Sequence, residues 1–392
     1  MIKWKKMTVG DLCDTISDTY HGEDEKVVLI NTSDVLEGKV LNRQAVVNKN
    51  LKGQFKKTFK RNDILYSEIR PANKRYAFVD FEDTENYIAS TKLMVLRSRE
   101  DIVRPRFLLS FLSSKSVLKE LQQLAETRSG TFPQITFSSE LAPIPINIPD
   151  LETQDRIVEI LDVLERKIST NTEINKNLEQ QAQAIYNKMF SHITIEKKEL
   201  SKIIEVRDGT HTSPKAQNSG FPLITSKHLL PFGVDKSSAN LISKDDFDKI
   251  NKRSLVETQD ILMSMIGTIG LISYIPYQTV DFAIKNVALF KTSQIPELAY
   301  YFICYLKSSE VQQHIEKCLA GSTQKYISLG ELRKMPTYQP AITELQNFNH
   351  VVKPMFDEIV LRNNENNILV NIRDTLLPKL MSGELDISNI DF

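Results

Sequence analysis

The sequence is poor in cysteine and has no long hydrophobic run, and each absence excludes a class of protein. Its 392 residues include only three cysteines, Cys13, Cys304 and Cys318, without C-x-x-C spacing. A disulfide framework or a zinc site needs more regular cysteines, so we expect reduced, buried thiols. No segment approaches the ~20 apolar residues of a membrane span, and the basic start at 1–6 lacks the apolar stretch of a signal peptide. We therefore expect a soluble, cytoplasmic protein.

Charge of one sign is not in excess, because 50 Lys and Arg balance 50 Asp and Glu. A surface for nucleic acid must therefore come from local segregation of charge. Enzyme motifs are absent as well: the sequence has no P-loop, no G-x-G-x-x-G after a strand, no G-x-S-x-G and no H-E-x-x-H. It also lacks the Asn-Pro-Pro or Asp-Pro-Pro with which an amino-methyltransferase holds a flipped base. We expect no catalysis by this chain.

One formal match to an enzyme remains. Pro149-Asp150 followed by Glu165-Arg166-Lys167 has the look of a metal-dependent nuclease signature, in which carboxylates and a lysine converge on Mg²⁺. Glu165 and Lys167 fall on the outer face of a predicted helix, however. A nuclease would require Asp150 and Glu165 at one metal, and a helical Glu165 argues against it.

An internal repeat is what the chain does have, and it is clearest in two heptad ladders. Core positions follow one another at alternating steps of four and three. The first ladder is Ile157, Leu161, Leu164, Ile168, Asn171, Asn175, Leu178, Ala182, Ile185 and Met189. The second, displaced by 191 residues, is Phe348, Val352, Met355, Ile359, Arg362, Asn366, Leu369, Arg373, Leu376 and Leu380.

Each ladder predicts a long helix whose narrow apolar seam is not stable alone. The two helices are expected to pack against each other, antiparallel, with Asn171 and Asn175 facing Arg362 and Asn366. A polar residue at such a core position fixes the register. The alternative, in which each helix packs only on its own domain, stays open.

A globular part precedes each helix. Asp63-Ile64-Leu65 matches Asp260-Ile261-Leu262, and short β-branched runs, then a helix, then a proline-rich strip occur in the same order in both parts. We predict an α/β (α+β) fold with two repeated globular domains and two long antiparallel helices. The predicted segments are 1–150, 151–190, 191–341 and 342–392, and Asp150 and Thr343 are the predicted helix N-caps.

Two segments have the composition of a nucleic-acid surface. The segment 55–76 interleaves aromatic residues with seven cations, and the loop 209–215 offers small polar donors and one histidine. A solvated hairpin accounts for the first equally well, and a lone loop histidine is otherwise unremarkable.

Several stretches resemble the specificity subunit of type I restriction-modification systems. They are IPINIPDLETQ at 144–154 running into RIVEIL at 156–161, GSTQKYIS at 321–328, and LLPKLMSGEL at 376–385. The resemblance covers nearly the whole chain. It departs from the pattern in the second helix, which lacks the Asp-Arg-Ile opening of the first.

The resemblance implies a non-catalytic subunit with two target-recognition domains. Each domain would read one half of a bipartite, asymmetric double-stranded DNA sequence, and the helices would set the unread gap. The partners would be two adenine methyltransferase subunits, which use S-adenosylmethionine, and motor-nuclease subunits, which use ATP and Mg²⁺. No cofactor or metal would be bound by this chain.

The residues expected to contact DNA lie in the two segments above and in two equivalent loops, 128–134 and 321–325. They are Lys56, Lys57, Lys60, Arg61, Arg70, Lys74, Arg75, Arg128, Thr131, Gln134, Gly209, Thr210, His211, Thr212, Lys215, Ser322, Thr323, Gln324 and Lys325. The competing hypothesis is a coiled-coil scaffold with two docking faces, which should show no salt-dependent affinity for DNA. The bases read and the gap length do not follow from the sequence.

Overall fold

The structure, a computed structural model, describes residues 4–49, 53–128, 131–190, 196–321, 325–385 and 387. It comprises two compact units: unit 1 contains Met1–Ile168 and Asn367–Phe392, and unit 2 contains Ser169–Asn366. The division falls inside both long helices, so each unit combines one globular part with half of each helix. The functional division at residues 150, 190 and 341 stays a prediction.

Unit 1 is built from short strands and three helices that precede the first long helix. Its strands are β1 Lys5–Thr8, β2 Cys13–Ile16, β3 Lys26–Ile30, β4 Val35–Leu36, β5 Lys39–Val40, β6 Ala45–Val47, β7 Phe55–Lys57, β8 Ile64–Ser67, β9 Tyr76–Phe78, β10 Tyr87–Ser90, β11 Leu93–Ser98 and β12 Pro145–Ile148. Its helices are α1 Val9–Leu12, α2 Pro105–Leu112 and α3 Lys115–Arg128, and the long helix α4 is Leu151–Phe190.

Unit 2 repeats this plan with one added helix between its sheets. Its strands are β13 Lys198–Glu199, β14 Val206–Asp208, β15 Phe221–Ile224, β16 Leu229–Leu230, β17 Gly233–Val234, β18 Asn240–Ile242, β19 Ile261–Ser264, β20 Ile272–Tyr274, β21 Ala283–Ile284, β22 Val287–Phe290 and β23 Pro336–Thr337. Its helices are α5 Lys244–Ser254, α6 Ala299–Lys307, α7 Ser309–Lys317 and α8 Leu329–Arg333, followed by the long helix α9 Ile342–Ser382.

Sheet topology is repeated in the two units, except that the second sheet has four strands in unit 1, β6-β3-β10-β7, and three in unit 2, β18-β15-β21. An antiparallel sheet has the order β2-β11-β8-β9 in unit 1 and β14-β22-β19-β20 in unit 2. A second sheet contains one parallel pair, β3 with β10 in unit 1 and β15 with β21 in unit 2. The proline strips pair with the strand that opens each unit, β12 with β1 and β23 with β13. The predicted repeat of a mixed α/β part is confirmed.

Two continuous stretches of unit 1 each contain a break. Residues 87–98 form β10 and β11, which belong to different sheets, and residues 105–128 form α2 and α3. Ser114 causes the second break because its Oγ accepts a hydrogen bond from the amide of Val117 at 3.4 Å. Ser308 does the same for Val311 in unit 2, where α6 gives way to α7. The sequence alone does not distinguish a serine that caps a helix from a serine inside a helix.

One predicted N-cap is confirmed and the other is wrong. Asp150 accepts a hydrogen bond from the amide of Thr153 at 2.9 Å and so caps α4. Thr343 lies inside the first turn of α9, which begins at Ile342. There the carboxylate of Glu344 accepts the amide of Ala341 at 2.7 Å. A carboxylate that reaches back to the position before the helix therefore replaces the predicted hydroxyl cap.

The two long helices contribute to the hydrophobic core of each unit. In unit 1, Ile157 and Leu161 of α4 and Leu380 of α9 are buried together with Tyr66 and Leu96 of the antiparallel sheet. Arg373 Nη1 of α9 donates to Glu165 of α4 at 2.6 Å. Among the described residues, no helix combines the length and apolar character that crossing a membrane needs.

The helix halves of unit 2 meet through buried asparagines. Asn171 is fully buried, and its Nδ2 donates to Asn366 Oδ1 at 2.9 Å and to Glu365 at 2.7 Å. Its Oδ1 accepts from Arg362 Nη1 at 2.9 Å. Asn175 Nδ2 donates to Asn363 at 2.9 Å. Partner numbers fall along α9 as they rise along α4, so the helices are antiparallel. The predicted contacts of Asn171 with Arg362 and Asn366 are confirmed.

Every residue predicted for the helix seam is buried or half-buried in the structure. The set comprises Ile157, Leu161, Leu164, Ile168, Asn175, Leu178, Ile185, Val352, Met355, Ile359, Asn366, Leu369, Leu376 and Leu380. Asn175 differs from the expectation only in its partner, which is Asn363. The seam is therefore the buried face of both helices.

A buried ion pair occupies the same place in both antiparallel sheets. Arg97 donates to both carboxylate oxygens of Asp63, at 2.8 and 2.7 Å, and Asp63 is 1% exposed. In unit 2, Lys291 Nζ lies 2.6 Å from Asp260, and both side chains are almost wholly buried. Each carboxylate also accepts a backbone amide, from Lys60 and from Glu257. In unit 1 the pair thus joins β11 to the turn before β8. In unit 2 it joins the residue after β22 to the turn before β19.

Replacing Asp260 by alanine should destabilise the protein by about 3–5 kcal/mol, because Lys291 would keep only the exposed carboxylate of Glu257 as its counter-charge and two backbone amides would lose their acceptor. Urea unfolding measures the effect. The matched control is Asp248→Ala, which breaks an exposed pair with Lys244 and should cost no more than about 0.5 kcal/mol. Equal losses in the two variants would contradict a structural role for the buried pair.

Candidate nucleic-acid interface

The seven cations of segment 55–76 divide into exposed and engaged groups. Lys56, Lys60 and Arg70 are exposed, and within the described part of the chain their side chains have no partner. Arg61 pairs with Glu82, and Lys74 Nζ lies 2.8 Å from Glu37. The free positive charge of the segment therefore lies on Lys56, Lys60 and Arg70.

Two predicted DNA contacts of this segment, Lys57 and Arg75, point into the protein. Lys57 Nζ donates to the carbonyl of Leu93 at 2.8 Å, and burial lowers the pKa of its ammonium. Arg75 Nη1 donates to the carbonyl of Ser33 at 3.0 Å. Both side chains are half-buried and satisfy backbone acceptors. Their charged groups therefore stabilise the fold through these carbonyls, and their contact with DNA stays a prediction.

The loop after α3 lies against the turn between β8 and β9. The carbonyl of Pro133 accepts from the amide of Arg70 at 3.1 Å, and Ile69 forms a bridge with Gln134. Gln134 Oε1 also accepts from Lys92 Nζ at 3.4 Å. The structure thus brings Arg70 and Gln134 together, as two predicted site residues of different segments. Lys92, in the turn between β10 and β11, belongs to the same surface and was missed because it stands outside any basic cluster.

Arg128 and Thr131 flank this loop. Arg128 Nη1 lies 3.2 Å from Glu140, so its charge is partly neutralised, whereas Thr131 is exposed. Thr136 and Glu140 close the far side of the loop, where the Glu140 carboxylate accepts the Thr136 amide at 2.6 Å. Thr131 is the freer of the two candidates.

Loop 209–215 of unit 2 is fixed at its base and exposed beyond it. Gly209 is buried, and a Cβ there would lie 2.3 Å from the carbonyl oxygen of Ile284, so no other residue fits. Gly209 therefore lets the loop cross β21 and does not contact DNA with a side chain. Thr212 and Lys215 are exposed, and Thr210 Oγ1 lies 2.8 Å from Thr212 Oγ1.

His211 is held between two side chains. Its Nε2 lies 2.9 Å from Asp208 Oδ2, and its Nδ1 lies 2.8 Å from Asn286 Oδ1. Arg253 Nη2 donates to Asp208 Oδ1 and to the carbonyl of Gly209, both at 2.9 Å. The imidazole is therefore exposed yet restrained, which favours a defined hydrogen-bonding direction.

A cavity of about 460 Å³ opens beside this loop, lined by Glu205, Arg207, Asp208, Lys252, Arg253 and Arg333 among others. Four cations less two carboxylates leave a charge of +2. Hydrogen bonds from Arg207, and then from Gln294, lower the pKa of Glu205 to about 2. Lys252, Arg253 and Arg333 were missed from the sequence because a basic residue in the last turn of a helix is expected for helix stability alone.

The equivalent loop of unit 2 is described only at its ends. Ser322, Thr323 and Gln324 lie outside the described residues, and Lys325 is exposed. The amides of Ala320 and Ile327 fix the flanks by donating to Tyr326 and Met265 at 2.9 and 3.0 Å. Tyr326 is 44% exposed, and it is a further residue of this surface that the sequence did not single out.

The nuclease hypothesis is wrong for the residues that suggested it. Glu165 is helical, exposed and paired with Arg373, while Asp150 caps α4. They lie fifteen positions apart along the helix, about 22 Å. Nowhere in the described ranges do three His, Cys, Asp or Glu side chains lie close enough to hold a metal ion.

Comparisons with known proteins identify one family. The family model of the type I restriction modification DNA specificity domain matches residues 1–180. The specificity subunit of type I restriction enzyme HindI from Haemophilus influenzae is 31% identical over 98% of this chain and 100% of that protein.

The chain belongs to the specificity subunits of type I restriction-modification systems. The specificity subunit of type I restriction enzyme MjaIX from Methanocaldococcus jannaschii is 23% identical over 74% of this chain and 71% of its own. A solved structure, the S subunit of a type I restriction-modification system from M. genitalium, aligns with a TM-score of 0.51 at 16% identity, over 99% of this chain and 97% of that one. The fold of this specificity subunit is thus that of two repeated globular domains with two long antiparallel helices.

The ion pair at the cavity of this specificity subunit gives a pH prediction. The pKa of Glu205 is depressed in the folded state, so its stabilising effect is complete above pH 4.5 and is lost as pH falls towards about 2. The loss of unfolding free energy in Glu205→Gln should therefore be constant near neutral pH and shrink on acidification. Urea unfolding at a series of pH values tests this.

Arg207 is the largest cause of the Glu205 shift, so the control is the same substitution in an Arg207→Leu background. There the effect of Glu205→Gln should be small at every pH. A difference that does not change with pH in the wild-type background would contradict the ion pair.

Proposed function

We propose that this specificity subunit reads a bipartite, asymmetric sequence in double-stranded DNA, one half with each globular domain. The observation that carries the proposal is that the same framework occurs in both units but holds loops of different chemistry. The framework is the antiparallel sheet with its buried ion pair. Unit 1 offers Lys56, Lys60 and Arg70, whereas unit 2 offers small hydroxyls and His211. Different loops on one scaffold suit the reading of two unlike half-sites.

In this proposal, residues 1–150 and 191–341 are the target-recognition domains. Residues 151–190 and 342–392 are the spacer helices with the C-terminal tail. The helices contain 40 and 41 residues, about 60 Å each at about 1.5 Å per residue. One turn of B-DNA is roughly 34 Å, so rigid helices of this length are long enough to set a fixed gap.

The partners follow from the same proposal. Two adenine methyltransferase subunits with S-adenosylmethionine, and motor-nuclease subunits with ATP and Mg²⁺, would carry the chemistry in the cytoplasm. The chain itself would bind no cofactor and catalyse nothing. Apolar side chains on the helices support a docking role, because Ile368 is 60% exposed, Ile372 40% and Val163 48% in unit 1, and Leu361 63% in unit 2.

The test is modified-base sequencing of cells that express the cognate methyltransferase, with the gene present and deleted. A split motif with a fixed gap should lose N6-methyladenine on deletion. Unchanged methylation, with the methyltransferase expressed, would instead favour the coiled-coil scaffold.

Two neighbouring cations of unit 1 give a second test of the proposed DNA binding, because Lys60 is unpaired among the described residues and Arg61 is paired. If Lys60 contacts a phosphate, Lys60→Ala should weaken binding on every duplex alike and reduce the slope of log K against log salt by about 0.9. Its neighbour Arg61, paired with Glu82, is the matched control. Arg61→Ala should change the slope less. Titrations by fluorescence anisotropy at several salt concentrations measure both, and equal slopes in wild type and Lys60→Ala would exclude that contact.

A further inference from the structure

Arg70 has a backbone conformation that arginine rarely adopts. Its φ is 46° and its ψ is 74°, in the left-handed region. Such a conformation is unfavourable for a residue with a Cβ and persists only where the surroundings impose it. Lys74, with φ 53°, closes the same turn, so two left-handed residues bracket Pro71–Asn73.

The second copy has glycine at this position. The residues before it, DILYSEI at 63–69 and DILMSMI at 260–266, share Asp, Ile, Leu, Ser and the final Ile, and Gly267 then takes the place of Arg70. Gly267 is also left-handed, with φ 80°. The bridge of Ile69 with Gln134 has its counterpart in Ile266 with Tyr326.

Space does not explain the difference between the two copies. A Cβ at Gly267 would meet no atom of the described residues within 4 Å, so the left-handed backbone is the reason for glycine there. Unit 1 keeps the same left-handed conformation with an arginine, for which that conformation is unfavourable in free energy. A use for the arginine side chain that glycine cannot supply would explain this difference.

The turn around Arg70 is held on several sides. The amide of Arg70 donates to Pro133 at 3.1 Å, and its carbonyl accepts from Asn73 at 2.8 Å. The amide of Ala72 donates to Gln122 Oε1 at 3.1 Å. These bonds fix the direction in which the side chain leaves the backbone, while the guanidinium itself is exposed and finds no partner among the described residues.

We propose that Arg70 is a specificity-determining residue whose guanidinium reads a base edge in one half of the DNA target. The inference rests on the proposed function and deepens it. Two parallel N–H groups of a guanidinium fit the O6 and N7 acceptors of guanine, a geometry that a lysine does not reproduce. Gly267 has no side chain, so the corresponding position of the other half-site is not read in this way.

The experiment uses the full chain assembled with its cognate methyltransferase subunits. It maps N6-methyladenine for wild type, Arg70→Gly, Arg70→Lys and Gln259→Gly. Arg70→Gly copies unit 2 and relieves the left-handed strain, so the midpoint of thermal unfolding should not fall. In Arg70→Gly, discrimination at one base pair of one half-site should fall about 5- to 150-fold, and recognition of the other half-site should be unchanged. Arg70→Lys should lose discrimination at the same base pair. Gln259→Gly relieves the same kind of strain at a φ of 71°, away from every predicted DNA contact, and should keep the wild-type motif.

Three results would overturn the assignment. The first is an unchanged motif in Arg70→Gly, and the second is full discrimination in Arg70→Lys. The third is loss of all methylation by a folded Arg70→Gly complex, because Arg70 would then contribute to affinity only. If the wild-type complex itself gives no split motif, it is the proposed function that fails.

Discussion

The rest of the structure depends on the burial of the two heptad seams, which neither long helix can achieve alone. Each helix half enters the core of a globular part and also meets the other helix. Leu161 and Leu380 share the core of unit 1, and Tyr186, Phe348 and Val352 share that of unit 2. Because these helices are core elements and not linkers, the strands of each unit are held by residues far away in sequence. The buried hydrogen bonds of Asn171 give the pairing its register.

Much of this helix architecture could be predicted from the sequence because heptad periodicity survives in the residues themselves. The partners of Asn171 followed from aligning two ladders, and the cap by Asp150 followed from a local motif. Breaks within apolar runs did not follow, since Ser114 and Ser308 are typical of a helix interior as well as of a cap. For the candidate site, composition identified the exposed Arg70. It could not show that Lys57 and Arg75 satisfy carbonyls that only the tertiary fold places beside them.

The two units keep one framework and vary what it carries. The buried pairs Asp63–Arg97 and Asp260–Lys291 use different cations for the same connection between strands. Loops beyond that connection differ in length and chemistry, and unit 2 inserts α5, whose Arg253 supports the loop at His211. A framework stabilised below its loops tolerates such changes, because the loops contribute little to the core. The contrast between Arg70 and Gly267 shows that even a shared backbone conformation can serve one unit differently from the other.

The position of the unit boundary inside both helices also determines the order in which the protein can fold during synthesis. Unit 2 is one continuous stretch, Ser169–Asn366, whereas unit 1 needs residues from both ends of the chain. When Leu161 is added to the growing chain, its core neighbour Leu380 is still 219 residues from being made. At 5–20 residues per second the wait is roughly 10–40 s. The segment that is translated first therefore completes its core last, and during that interval its apolar helix face is accessible to chaperones.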